Sequence, residues 1–304
     1  MLTYGSELQK ATAVQSFWNG YYGTPSVFNG LYYDKTSTQK TDTYARLGAA
    51  PMPEEWTADR NAKDVNEYSV DVTNVPYDAT VSVDKELILY QQWDEVAGVI
   101  RSLGEKARAH QDKLASALIE AGISTVCEDG QFFFDDDHVD PGAANTTSQV
   151  NDTTTNITTP AAPTDLEMAA LIRVLFGKFW TFKDDQGDPM VPKDSNPNDF
   201  VLMVPPEHRS VALQILNNNQ ITGPIGNELM GQFVIEVNPY FTLDTTDYLF
   251  YRGSPHKPVI KSESMGLVLT DDLDPKSGNT NYSATWHGKM AYGQWRTAVV
   301  HIST

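Results

Sequence analysis

The clearest pattern along the chain is an apolar stripe between residues 86 and 121. Trp93, Val96, Ile100, Leu103, Ala107, His110, Leu114, Ala117 and Ala121 recur at alternating spacings of three and four. That spacing places them on one face of a helix. At 1.5 Å per residue the helix would run on the order of 50 Å. Gly122 supplies a stop, while Gly98 and Gly104 weaken the middle slightly. His110 lies within the stripe and is expected as a packed or hydrogen-bonded side chain.

Before this helix the period changes to two. Tyr68, Val70 and Val72, then Val81 and Val83, alternate with polar residues as a half-buried strand requires. TYARLGAAPMPEEW supplies an opposing arm. Residues 43–84 are therefore predicted to form a long β-ribbon, with Pro51, Pro53 and Pro76 keeping it out of a sheet centre. A two-stranded ribbon of this length is marginal in water by itself. It needs a partner surface, in its own chain or in another.

Residues 1–42 are polar, aromatic and rich in Gly, Thr and Ser, and are predicted as an extended arm anchored by its aromatics. Residues 143–163 are Thr/Asn-rich and predicted as an exposed excursion without a core. A helix restarts at 164–183. Thr164 is its N-cap, and Glu167 completes a capping box. KDDQGDP is a turn. FVLMVPPEHRSVALQIL is a buried strand, a Pro-Pro break and a short helix. QFVIEVNPYF, DYLFYRG and the runs after Lys257 are further strands. The fold class is α+β.

Composition narrows the function. No apolar run approaches the roughly 20 residues of a membrane helix, and the first residues lack the pattern of a secretory signal. One cysteine, Cys127, excludes an internal disulfide framework. A net charge of −18 argues against tight direct binding of nucleic acid. These features suit a protein made in the cytoplasm.

One stretch carries candidate chemistry. CEDGQFFFDDDHVDPG, residues 127–142, holds a thiol, six acids and a histidine. Hard oxygen ligands are present, but the spacing does not match an EF-hand loop. No HExxH, P-loop, G-x-S-x-G or G-x-G-x-x-G occurs in the chain. Nothing local activates Cys127. We assign no catalytic residue, cofactor or metal. The stretch is expected to act mechanically: a CEDG turn, FFF as apolar anchors, and DDDHVDPG as an exit.

DGQFFFDDDH resembles the DGxxFFxxxH stretch of the major head subunits of Mu-like phages. YARLGAAPMPEEWTADR, VPYDATVSVDKELI, KARAHQDKLASALIEAG, FVLMVPPEHRSVALQIL and GKMAYGQWRTAVV resemble further blocks of that family, in the same order. The resemblance implies a Hong Kong 97-type major capsid fold. Residues 1–42 would be an N-terminal arm and 43–84 the extended loop. Residues 85–163 and 256–304 would form a peripheral domain around a spine helix, 86–121, with 164–255 as an axial domain. It implies an icosahedral phage head of pentamers and hexamers of this chain, assembled in the host cytoplasm and enclosing double-stranded DNA without reading its sequence. Portal, scaffold and decoration proteins would be partners. Pro51, Met52, Trp56 and Arg60 in the extended loop are the candidate intersubunit contacts, since Trp is enriched at interface hot spots. Lys63, also in the ribbon, carries no mark of a cross-linking site. Two alternatives stand beside this reading: a nanocompartment subunit of the same fold, and a soluble metal-dependent enzyme using residues 128–140.

Overall fold

The computed structural model describes residues 3–50, 67–90, 92–140, 147–191, 195–221 and 226–303. Eleven strands and five α-helices are found among them. Two long helices pack against each other. α1 is Thr3–Gly23. After a short α2, Lys85–Leu89, α3 runs from Trp93 to Ala121. The predicted 86–121 helix is thus two helices, α2 ending at Leu89 and α3 starting at Trp93. The N-cap residue of α3, Gln92, makes no side-chain capping bond.

The N-terminal segment corrects the expectation of an extended arm. Ala13, Phe17 and Gly20 lie on one helical face and are buried. A Cβ on Gly20 would stand 2.2 Å from the Arg101 carbonyl oxygen, and one on Gly104 would stand 2.1 Å from that of Phe17. Two glycines therefore let the backbones of α1 and α3 touch. Tertiary burial of that face outweighs the poor helix propensity of Gly and Thr. Gly104, a slight liability for an isolated helix, is required by the crossing.

The buried face of α3 also differs from the predicted stripe in its second half. Val96, Ile100 and Leu103 are buried as expected. Further on the buried positions are Gln111, Asp112, Ala115, Ser116 and Ile119, while Ala117 and Ala121 are exposed. The reason is polar. Asp112 accepts from Ser26 Oγ at 2.6 Å, Tyr32 Oη at 2.9 Å and the Val27 amide at 3.1 Å. It pins the segment after α1 to the spine. Gly122 ends the helix with right-handed backbone. Its lack of a side chain instead makes room for the Phe134 ring, which a Cβ would approach to 2.8 Å.

Three sheets follow. The first has the order β1-β9-β10-β4, from Tyr32–Thr36, Val259–Leu273, Thr280–Tyr292 and Val75–Val83. α3 and α1 lie on one of its faces, over Val83, Tyr282 and Ala284. The second is the ribbon stem, Thr41–Leu47 (β2) paired antiparallel with Glu67–Thr73 (β3). The predicted ribbon thus divides at Asn74. β3 stays with β2, but β4 runs along β10 of its own chain.

The third sheet has the order β5-β11-β8-β6-β7. Its strands are Asp152–Thr155, Ala298–Ser303, Thr246–Tyr251, Phe200–Val204 and Val234–Val237. All of β6 and β8 is buried. α4, Asp165–Thr181, packs over it; Thr164 and Glu167 form the predicted capping box. α5, Arg209–Asn217, follows the Pro-Pro break as expected. Two buried histidines lie in this unit. His208 Nδ1 faces Asp247 at 2.8 Å and its Nε2 faces the Pro160 carbonyl at 2.8 Å. His301, opposite Asp247 in the strand register, has no hydrogen-bond partner among the described residues.

Two segments depart from the predicted partition. Residues 152–155, within the supposed excursion, form an edge strand on β11, and Ile157 is buried in the main core. β11 joins this third sheet and not the sheet of β9 and β10. The boundary at residue 256 therefore does not follow the sheets. Among the described residues no helix is long and apolar enough to cross a membrane.

Candidate functional site

The acidic stretch 127–140 folds at the root of the ribbon. Positive-φ Gly130 turns the chain, and Cys127 N–H bonds the Gln131 carbonyl at 2.8 Å. Phe133 and Phe134 then enter the core, Phe133 stacked on Tyr292 and Phe134 tilted against Tyr248, whereas Phe132 stays exposed. Two of the three phenylalanines are anchors.

The acids are not pooled. Glu128, Asp129 and Asp140 each have their own partner, two of them from distant parts of the chain. Glu128 pairs with Arg46 of β2, whose guanidinium lies 4.2 Å from the Tyr68 ring of β3. Asp129 lies 2.6 Å from His138 Nδ1. Asp140 pairs with Arg296 through both guanidinium nitrogens, in nearly full burial. The His138 ring stacks on Trp295 at 3.9 Å and 7°. Its Nε2 faces Asn151 Oδ1 at 3.1 Å. Asn151 is fully buried and donates to the Phe133 carbonyl at 2.8 Å.

The electrostatics follow from burial and pairing. Burial pushes the Asp129 carboxyl up, but hydrogen bonds from His138, Cys127 and the Gln131 amide outweigh it and hold the group below its ordinary value. Burial, followed by the neighbouring Asp129, pushes the Cys127 thiol well above the usual thiol range. A neutral thiol is a poor nucleophile and a poor metal ligand. Burial raises Glu128 despite Arg46.

Cys127, Asp129 and His138 do bring three ligand-type atoms close together, as do Asp135, Asp136 and Asp137 on the surface. In the first group Cys127 Sγ donates to Asp129 Oδ1 at 3.1 Å and both His138 nitrogens face acceptors. The atoms that would bind an ion bind one another.

Two further attachments hold the stem. Asp185, buried in the KDDQGDP turn, accepts from the Ala49 amide at 2.7 Å, and a Cβ on Gly48 would meet it at 2.2 Å. At the division of the ribbon, Ser262 Oγ donates to Asn74 Oδ1 at 2.7 Å and lies 2.7 Å from Tyr44 Oη. Asn74 Nδ2 donates to Ser37 Oγ at 2.8 Å. The stem's inner face, with Tyr68 and Val72 buried, is thus fixed to its own chain, which supplies the partner surface for this part of the ribbon. Its outer face, Thr41, Thr43, Ala45 and Leu47 opposite Thr73, Asp71, Ser69 and Glu67, is exposed. Pro51, Met52, Trp56, Arg60 and Lys63 lie outside the described residues.

Sequence reasoning singled out the acidic stretch but not its partners. Arg46, Asn151, Asp185 and Arg296 are single polar residues in unrelated segments, and nothing in their local sequence marks them.

The comparisons with known proteins agree with this architecture. The family model for the Mu-like prophage major head subunit gpT matches residues 7–165. The chain is 28% identical over 144 residues to the major capsid protein of Escherichia phage Mu, covering 47% of each chain. It is 29% identical over 149 residues to the Mu-like prophage FluMu major head subunit of Haemophilus influenzae, covering 47% of this chain and 48% of that one. It spans about half the length of the curated relatives it matches. Among solved structures, the procapsid of bacteriophage JBD30 shares the fold over 100% of this chain and 77% of that one, with a TM-score of 0.58 and 18% identity. The mature capsid of bacteriophage PhiM1 matches over 92% and 87%, with a TM-score of 0.58 and 12% identity. The fold is of the Hong Kong 97 capsid type, and the chain belongs to the Mu-like prophage major head subunit gpT family.

Proposed function

We propose that this chain is the major capsid protein of a tailed phage, assembling into the pentamers and hexamers of an icosahedral head. The observation that carries the reading is the family match over residues 7–165. That span includes most of α1, the ribbon stem, the spine helix α3 and the acidic stretch of the polar root. The stem supports it physically. Its inner face is pinned to the body, and its outer face is left uncovered. A rigidly held stem fixes the direction in which the ribbon leaves the body. Head-to-tail contacts of this kind close into rings, and many modest contacts per subunit accumulate into a stable shell.

The four-stranded sheet with α3 and α1 would be the peripheral domain, and the five-stranded sheet with α4 and α5 the axial domain. The shell would be part of the virion and enclose double-stranded DNA, with portal, scaffold and decoration proteins as partners. A chain of net charge −18 suits enclosure without tight binding.

Changing Trp56 to Ala tests the contact role. Shells viewed by electron microscopy should fail to form or lose heat resistance; normal shells of normal heat resistance would refute it. The contents of purified particles separate this reading from a nanocompartment: packaged DNA supports a head, and an enclosed enzyme contradicts it.

A further inference from the structure

α1 carries more apolar surface than its contact with α3 uses. Ala13, Phe17 and Gly20 are buried at that contact. A second apolar line, Val14, Trp18 and Tyr22, recurs every four residues along a neighbouring flank of the helix. Val14 and Tyr22 are exposed, and Trp18 is half-buried. Tyr22, at 76% exposure, is the most open large apolar side chain among the described residues. One exposed aromatic needs no explanation, but a connected apolar strip does.

The rings of this strip are ordered against one another. Tyr22 stacks on Trp18, with centroids 5.5 Å apart and planes at 24°. Tyr21 stands nearly at right angles to both, at 5.7 Å from Trp18 and 5.3 Å from Tyr22. α3 holds Tyr21 in turn. Its hydroxyl donates to Gln111 Oε1 at 3.2 Å, and the Arg108 guanidinium lies over its ring at 5.7 Å. Arg108 also donates to Gln111 Oε1, at 3.1 Å. Its hydrogen bond and its ring contact are both with neutral groups, which leaves a positive charge beside the rings.

Ordered Trp and Tyr rings on a surface suit proline-rich segments. Such a segment is already extended before it binds, so little entropy is lost on docking. The ribbon contains one, AAPMPEEW, residues 49–56, with the only Pro-x-Pro in the chain. Pro51 and Pro53 fix their own φ, and Ala50 and Met52, each before a proline, are steered toward extended backbone. Glu54 and Glu55 follow at once and match the charge of Arg108.

We propose that the Val14–Trp18–Tyr22 strip of one copy receives residues 50–55 of a second copy. The Ala50–Pro51 and Met52–Pro53 pairs would pack on the Trp18 and Tyr22 rings, and a glutamate would stand beside Arg108. The inference rests on the proposed shell role and adds where the ribbon lands.

The test joins two variants of the full chain, each with Cys127→Ser. One carries Glu55→Cys and the other Asn19→Cys, an exposed position between Trp18 and Tyr22. Shells assembled from both and treated with a short bismaleimide should yield a linked pair containing one chain of each kind, joined at 55 and 19 by mass spectrometry. Well-formed mixed shells without this pair would overturn the proposal and leave the shell role standing. Failure of the unmodified chain to form particles would overturn the shell role and the proposal with it. A second measurement removes the contact. Tyr22→Ala, at an exposed position, should raise the concentration at which shells appear by about tenfold, the loss of one aromatic anchor. Pro51→Ala with Pro53→Ala should do the same. All three together should be no worse than either set, because both remove one contact. No effect of Tyr22→Ala, or effects that multiply, would overturn the proposal.

Discussion

The five-stranded sheet and the polar root of the ribbon hold the chain together in opposite ways. In the sheet, β6 and β8 bury every residue, and the cohesion comes from apolar area and close packing. At the root, the fixed points are charged or polar side chains from residues 46, 74, 128, 138, 140, 151, 185 and 296. Apolar contacts are forgiving about direction. A buried ion pair or hydrogen bond has one good geometry and is costly when half made. The sheet therefore supplies stability, and the root supplies an angle, that at which the ribbon leaves the body.

The contrast predicts different responses to substitution. Arg296→Met leaves Asp140 buried without its partner and should cost about 3–5 kcal/mol. Adding Asp140→Leu in the same chain should recover most of that loss, since replacing both members of a buried pair by apolar groups is often neutral. Denaturant unfolding of the unassembled chain measures both. A double variant as unstable as the single one would show that the pair does more than satisfy itself. In the sheet, Leu249→Ala should cost about 2–5 kcal/mol through lost burial and a residual cavity, and no second truncation nearby should rescue it.

A smaller effect is the sheet's acid response. Burial, and then the charge of His208, lowers His301 from 6.5 to about 4. A base depressed in the folded state contributes stability fully above its unfolded value and loses it as the pH falls. Stability should therefore decline from pH 6.5 toward 4, and His301→Leu should flatten that decline. His208 runs the other way. Although burial lowers it, Asp247 and the Pro160 carbonyl raise it above 6.5 overall, so its contribution is lost as the pH rises. An unchanged acid slope in His301→Leu would remove His301 from this account.

The same contrast explains what could be read from the sequence. FVLMV and YLFY are continuous apolar runs, and their burial follows from composition alone. The Thr164–Glu167 capping box is local in sequence and forms as spaced. The first half of α3 follows its stripe. Its second half does not, because Asp112 is buried to bind Ser26 and Tyr32, 86 and 80 residues away. The helical face Ala13, Phe17, Gly20 is present in α1, but the surrounding Gly and Thr obscure it. Asn151 sits in a Thr/Asn-rich tract that gives no sign of being a fully buried centre. Residues that act through one long-range polar contact leave no period for a pattern to show.

The most direct test of the central claim is sedimentation velocity of the full chain over a wide range of concentrations. A shell subunit with a fixed, outward-facing ribbon should pass with rising concentration into rings and megadalton particles, and Trp56→Ala should hold it back. A compact monomer at every concentration, unchanged by Trp56→Ala, would contradict the account.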